Sequence, residues 1–156
     1  MKRAFTLLAA VVASTAALSA SGHKVPMGTR AKGAQTVVVG TVIQVTSAFE
    51  QNEFGDRLIV SHVLLRVEEA LKGQAPQVVA LDVEGGTVGG VTLKVSDMDA
   101  VNTGERGVFF LTKSRSGVNV PHLRGNGIVK LDSNNRVKDD DGETLADVRQ
   151  QVRGAQ

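Results

Sequence analysis

From Thr36 onward the chain repeats one pattern: β-branched and other apolar residues alternate with polar ones at a period of two, and glycine-containing breaks separate the runs. The first run, "TVVVGTVIQVTS", predicts a strand, with Gly40 at its centre where a missing side chain suits a bulge or a sharp bend. "AFEQNEFGD", Ala48 to Asp56, is polar apart from two phenylalanines and ends in a Gly-Asp turn signal, so it predicts a loop. "RLIVSHVLLRVEEAL" follows as a second long strand. Its Ile59, Val63, Leu65 and Val67 point to one face, interrupted by Ser61, while Leu58, His62, Leu64 and Arg66 point to the other. After a break at "EALKGQAP", "QVVALDV" alternates Val79, Leu81 and Val83 as a third strand.

Four glycines then fall within "DVEGGTVGGVTLKV". A phosphate-cradling loop needs a helix after its glycines and a G-x-G-x-x-G or G-K-S/T spacing. Here "VTLKV" alternates like a strand, so the glycines predict a hairpin or bulge. "GVFFLTK" is apolar on both faces, Val108 and Phe110 on one and Phe109 and Leu111 on the other, and therefore needs covering on both sides. "GIVKLDSNNRVK" predicts a hairpin turning at Ser133 to Asn135. The terminal "TLADVRQQVR" spaces Leu145, Val148 and Val152 as a helix, with Thr144 and Asp147 in a capping-box pattern, and is the expected cover for the outer face of Phe110.

The amino end follows other rules. Met1, Lys2 and Arg3 precede the uncharged run "AFTLLAAVVASTAAL", which has the length of a signal-peptide core, and "SASG" follows. This predicts a cleavable export signal over residues 1–20, cut between Ser19 and Ser21, with no stable membrane anchor afterwards. Residues 21–35, "SGHKVPMGTRAKGAQ", show no apolar period and predict a flexible leader into one domain over residues 36–153. The chain has no cysteine, so an exported domain must hold together by its core alone. Its 18 basic residues exceed its 16 acidic ones only through Lys2 and Arg3. The mature charge is zero, with no dense basic cluster, which argues against nucleic acid as a partner.

The order of "VVVGTV", a long second strand, "LKG", "VALDV", a glycine turn, "TGERGVFFL" and a closing helix resembles the netrin-like, tissue-inhibitor-of-metalloproteinase type of OB fold, in particular its cysteine-free bacterial exported relatives. The resemblance spans about Thr36 to Lys113 and implies a mainly β, OB-like barrel of five to six strands with a C-terminal helix. It does not carry protease inhibition across. The family's inhibitors chelate zinc through an amino-terminal cysteine, and this chain has none.

Candidate chemistry is sparse. His23, His62 and His122 make no zinc-binding spacing, and Ser61 stands beside His62 on the opposite strand face, out of reach for a Ser-His pair. "DDDGE", Asp139 to Glu143, lacks the ligand alternation of a calcium loop and reads as an acidic lead-in to the last helix. No catalytic residue, metal ligand or cofactor site is assigned. With no Trp or Tyr, and with Phe109 and Phe110 in the core pattern, the aromatic residues left for a partner loop are Phe49 and Phe54, with Glu53 beside them after the first strand, and the same two rings could equally fold back as a lid on the barrel end. The sequence therefore points to an exported, non-catalytic binding module whose partner is a protein engaged through loops at one end. A protease inhibitor or hydrolase with an unrecognised site, or a structural envelope component, remain as alternatives. Oligomeric state is not specified.

Overall fold

The computed structural model describes residues 24–51, 55–138 and 142–156; the expected signal, Glu53, Phe54 and Asp139 to Asp141 lie outside them. In chain order the elements are α1 (Met27–Gly33), β1 (Thr36–Gln51), β2 (Arg57–Lys72), β3 (Val78–Glu84), β4 (Gly86–Val88), β5 (Val91–Leu93), β6 (Arg106–Lys113), β7 (Asn119–Pro121), a 3₁₀ turn (Arg124–Gly127), β8 (Ile128–Leu131) and α2 (Leu145–Arg153). The protein is mainly β, a six-stranded antiparallel sheet with a C-terminal helix.

The sheet runs in the order β3-β2-β1-β6-β7, and β8 lies beside the first half of β6. β1 and β2 form one long hairpin whose register slips at three places, one of them between Val39 and Gly40. A Cβ on Gly40 would stand 2.8 Å from the Arg66 carbonyl oxygen, so the bend brings two backbones too close for any side chain. β1 extends to Gln51, so Ala48 to Gln51 belong to the hairpin and not to the expected loop; the polar run from Glu50 to Glu53 hid a backbone whose residues up to Gln51 pair with Arg57 to Val60.

The fold is the mainly β one expected, and the sheet curls without closing, so the barrel is a loose one. β7 is three residues long, and its Pro121 has no N–H to donate to a ladder. The side chain of Asn119 spans the gap instead, its Nδ2 donating to the Ala80 carbonyl at 2.7 Å.

Two apolar clusters flank β6, as its doubly apolar pattern requires. Phe109 and Leu111 pack inside the curl with Val38, Val42, Val63, Leu65, Val79, Leu81 and Val83. Val108 and Phe110 pack outside it beneath Leu145, Val148 and Val152 of α2. Burying each of these large side chains contributes roughly 1.5 to 3 kcal/mol before entropy is counted. Thr144 caps α2 through a reciprocal box with Asp147, which fixes where the helix begins.

The leader is also corrected. Met27–Gly33 is helical, and Met27, Ala31 and Ala34 enter the same cluster as Phe110. Two of the three are alanines, so their 4-then-3 spacing makes no hydropathy signal in a basic stretch, although it presents one face. Arg30, also buried, ties the helix down: its Nε donates to the Val25 carbonyl at 2.6 Å and its guanidinium to the Asn126 carbonyl at 2.9 Å. Lys72 donates to the Ala31 carbonyl at 2.7 Å near the helix C-terminus, where a cation also favours the dipole.

The glycine segment forms the β4–β5 hairpin, with Gly89 and Gly90 both at positive φ in its turn. It stands apart from the main sheet, over Ser47 and Ser61.

Candidate ligand-binding groove

Alternation along β2 sends Ile59, Ser61 and Val63 inward and Leu58, Val60 and His62 outward. The outward set faces a turn. Between β6 and β7 the chain reverses at Ser114 to Val118, held by Ser114 N–H to the Val118 carbonyl at 2.8 Å and by Gly117 N–H to the Ser114 carbonyl at 3.0 Å. This brings Val118 and Val120 opposite Leu58 and Val60, enclosing a groove of about 580 Å³. Leu58, Val60, Val118 and Val120 give it apolar walls, Gln51, Ser114 and Ser116 add polar groups, and Glu50, Asp82, Glu84 and Arg115 supply charge along it. Val118 is 37% exposed, a large apolar side chain left open to water.

His62 links the carboxylates of the groove. Its Nδ1 lies 2.7 Å from Asp82 Oδ1 and its Nε2 2.9 Å from Glu50 Oε1, so one imidazole on β2 joins β1 and β3. The hydrogen bond to Asp82 is the largest influence holding the imidazolium above its ordinary range; partial burial opposes it, and the charges of Asp82 and Glu50 reinforce it. Because both ring nitrogens face carboxylates, neither is directed at a hydroxyl nucleophile. Ser61 lies on the other face, where its hydroxyl donates to the Gly85 carbonyl at 2.7 Å and pairs with Ser47 at 2.9 Å. The two nitrogens diverge and share no metal position; among the described residues no set of three His, Cys, Asp or Glu side chains could hold an ion. Glu84 is engaged by Arg124 at 2.9 Å, and Arg124 also grips Asp97 at 2.6 Å.

Phe49 alternates with Glu50 and so faces away from the groove. It sits in β1 opposite Ile59, 40% exposed, with the Arg57 guanidinium 4.5 Å from its ring centroid, a cation–π contact that holds the ring against its own hairpin. Glu53 and Phe54 lie outside the described residues. The structure thus places Phe49 outside the groove, on the opposite face of β1 from Glu50. Sequence reasoning missed the groove itself, because Leu58 and Leu64 gave β2 only a mixed outer face and Val118 and Val120 alternate over too few residues to stand out. His122, by contrast, is a packed side chain at the C-terminal end of α1, where Gly33 leaves room for its ring. Burial, with the Lys72 charge, moves its pKa below the usual histidine range.

No protein-family model matches the chain, and no curated protein matches it significantly.

Proposed function

We propose that this chain is an exported, non-catalytic binding module whose ligand is a protein, held in the groove between the outer face of β2–β3 and the β6–β7 turn. The observation that carries the reading is the apolar lining of Leu58, Val60, Val118 and Val120, open to solvent and edged by carboxylates. A concave apolar surface with a few polar groups is what a binding site requires. Export rests on the pattern of residues 1–20, a basic start followed by an apolar core and small residues. Among the described residues, no helix is long and apolar enough to cross a membrane.

The test places a photo-crosslinking side chain at Val118 and, as a control, at the exposed Val91 of the β4–β5 hairpin. In cells producing the full chain, Val118 should crosslink to a discrete protein, Val91 should not, and Leu58→Asp should abolish the product. Equal crosslinking from both positions would remove the groove as the site. Intact mass of the recovered protein should lack Met1 to about Ala20.

A further inference from the structure

We propose that the groove accepts an extended peptide segment carrying a lysine or arginine among apolar side chains, and that His62 competes with that cation for the carboxylates of Glu50 and Asp82. This rests on the protein-ligand reading above and names the chemistry of the ligand.

The apolar walls select apolar side chains, and the charge along them selects a cation. Of the three groove carboxylates, Glu84 is already held by Arg124. Glu50 and Asp82 are held by an imidazole, whose charge can be withdrawn. Protonated, His62 has an N–H for each carboxylate, and the trio carries a net charge of about −1. Neutral, the ring has one N–H. It can then satisfy one carboxylate only, the other faces a lone pair, and the trio's charge becomes about −2.

A cationic side chain entering the groove takes the place of the imidazolium, so binding releases a proton, and affinity and protonation are linked reciprocally. Among the described residues, the other charged groups around the site are Glu84 on β3, Arg124 on the 3₁₀ turn, Arg115 on the β6–β7 turn and Arg66 further along β2. Among these side-chain types only imidazole changes charge between about pH 5.5 and 8. The β1 residues opposite this stretch of β2, Thr46 and Ala48, do not titrate. The hydrogen bond to Asp82, with the charges of Asp82 and Glu50, raises the His62 pKa above its ordinary value of 6.5, so the release is read on the alkaline side of that value.

The probes are three acetylated and amidated heptapeptides, alternating valine with lysine, with glutamine, or with glutamate, titrated calorimetrically into the mature protein at low salt. The lysine peptide should bind about tenfold more tightly one unit above the His62 pKa than one unit below it, and better than the glutamine and glutamate peptides. His62→Gln should keep binding and lose the pH dependence, Glu50→Gln should weaken the lysine peptide at pH 8, and the His62 pKa read by NMR should fall at saturation. Melting curves of each variant establish that it is folded. If the glutamine peptide binds as tightly as the lysine peptide, the groove docks peptides but does not select cations, and the proposal fails while the protein-ligand reading stands. A pH dependence that survives in His62→Gln overturns the competition. Failure of all three peptides to bind overturns the proposal, and the crosslinking at Val118 then judges the broader reading separately.

Discussion

Asn119 and Ala80 join the two ends of the sheet: the amide Nδ2 of one donates to the carbonyl of the other at 2.7 Å, where a backbone ladder would otherwise close it. β3 and β7 run in the same direction, because every pairing between them in the order β3-β2-β1-β6-β7 is antiparallel. A single side chain therefore stands in for the missing strand pairing. Asn119→Ala should cost about 0.5 to 1.5 kcal/mol, the net value of one such bond. Denaturant melts read the cost, and hydrogen exchange should show faster opening along β3 than along β1.

The two kinds of phenylalanine should separate cleanly. Phe109 and Phe110 are buried on opposite sides of β6, and replacing either with alanine should cost about 3 to 5 kcal/mol through the cavity left behind. Phe49→Ala removes a half-exposed ring and its contact with Arg57, and should cost about 1 kcal/mol or less. Chemical denaturation of the three variants provides the comparison; a loss at Phe49 equal to that at Phe110 would show the ring to be part of the core.

The helix cap gives a third expectation. Thr144→Ala leaves the Asp147 N–H without its side-chain acceptor and should destabilise by about 1 kcal/mol. Since α2 covers Phe110, the loss should appear in the global melt and not as fraying alone.

Two histidines should give stability opposite pH dependences. The folded-state pKa of His62 is raised, so its contribution is fully present below about 6.5 and is lost as pH rises through the folded value. His122 has a lowered pKa, so its contribution is present above about 6.5 and is lost as pH falls through its folded value. His62→Gln should flatten the stability profile on the alkaline side of 6.5, and His122→Gln on the acid side. Melting temperatures taken from pH 5 to 8.5 for both variants check the signs, and the same slope change in both would contradict the assignment.

Most of the core was legible in the sequence because strand burial follows a period of two. Ile59, Val63 and Leu65 are buried as their alternation requires, as are Val79, Leu81 and Val83. Ser61, the exception in that series, is buried because its hydroxyl finds Ser47 and the Gly85 carbonyl. The α1 helix was not legible, since Ala31 and Ala34 bury little surface of their own and a basic neighbourhood dilutes Met27. The groove was less legible still. Its walls come from β2 and from a turn more than fifty residues later, and no local period relates Val60 to Val118.

What the sequence by itself determined is therefore the long strands β1, β2 and β3, the doubly covered β6, the capped terminal helix and the glycine hairpin, each encoded in spacing and turn chemistry that act over a few residues. Tertiary structure alone decided that the sheet stays open at β3 and β7, that a stretch read as a leader docks as a helix, and that His62 meets both Glu50 and Asp82. Those relations depend on which strands lie side by side and how far they slide past one another, and that is set by the packing of the whole core around bends such as Gly40.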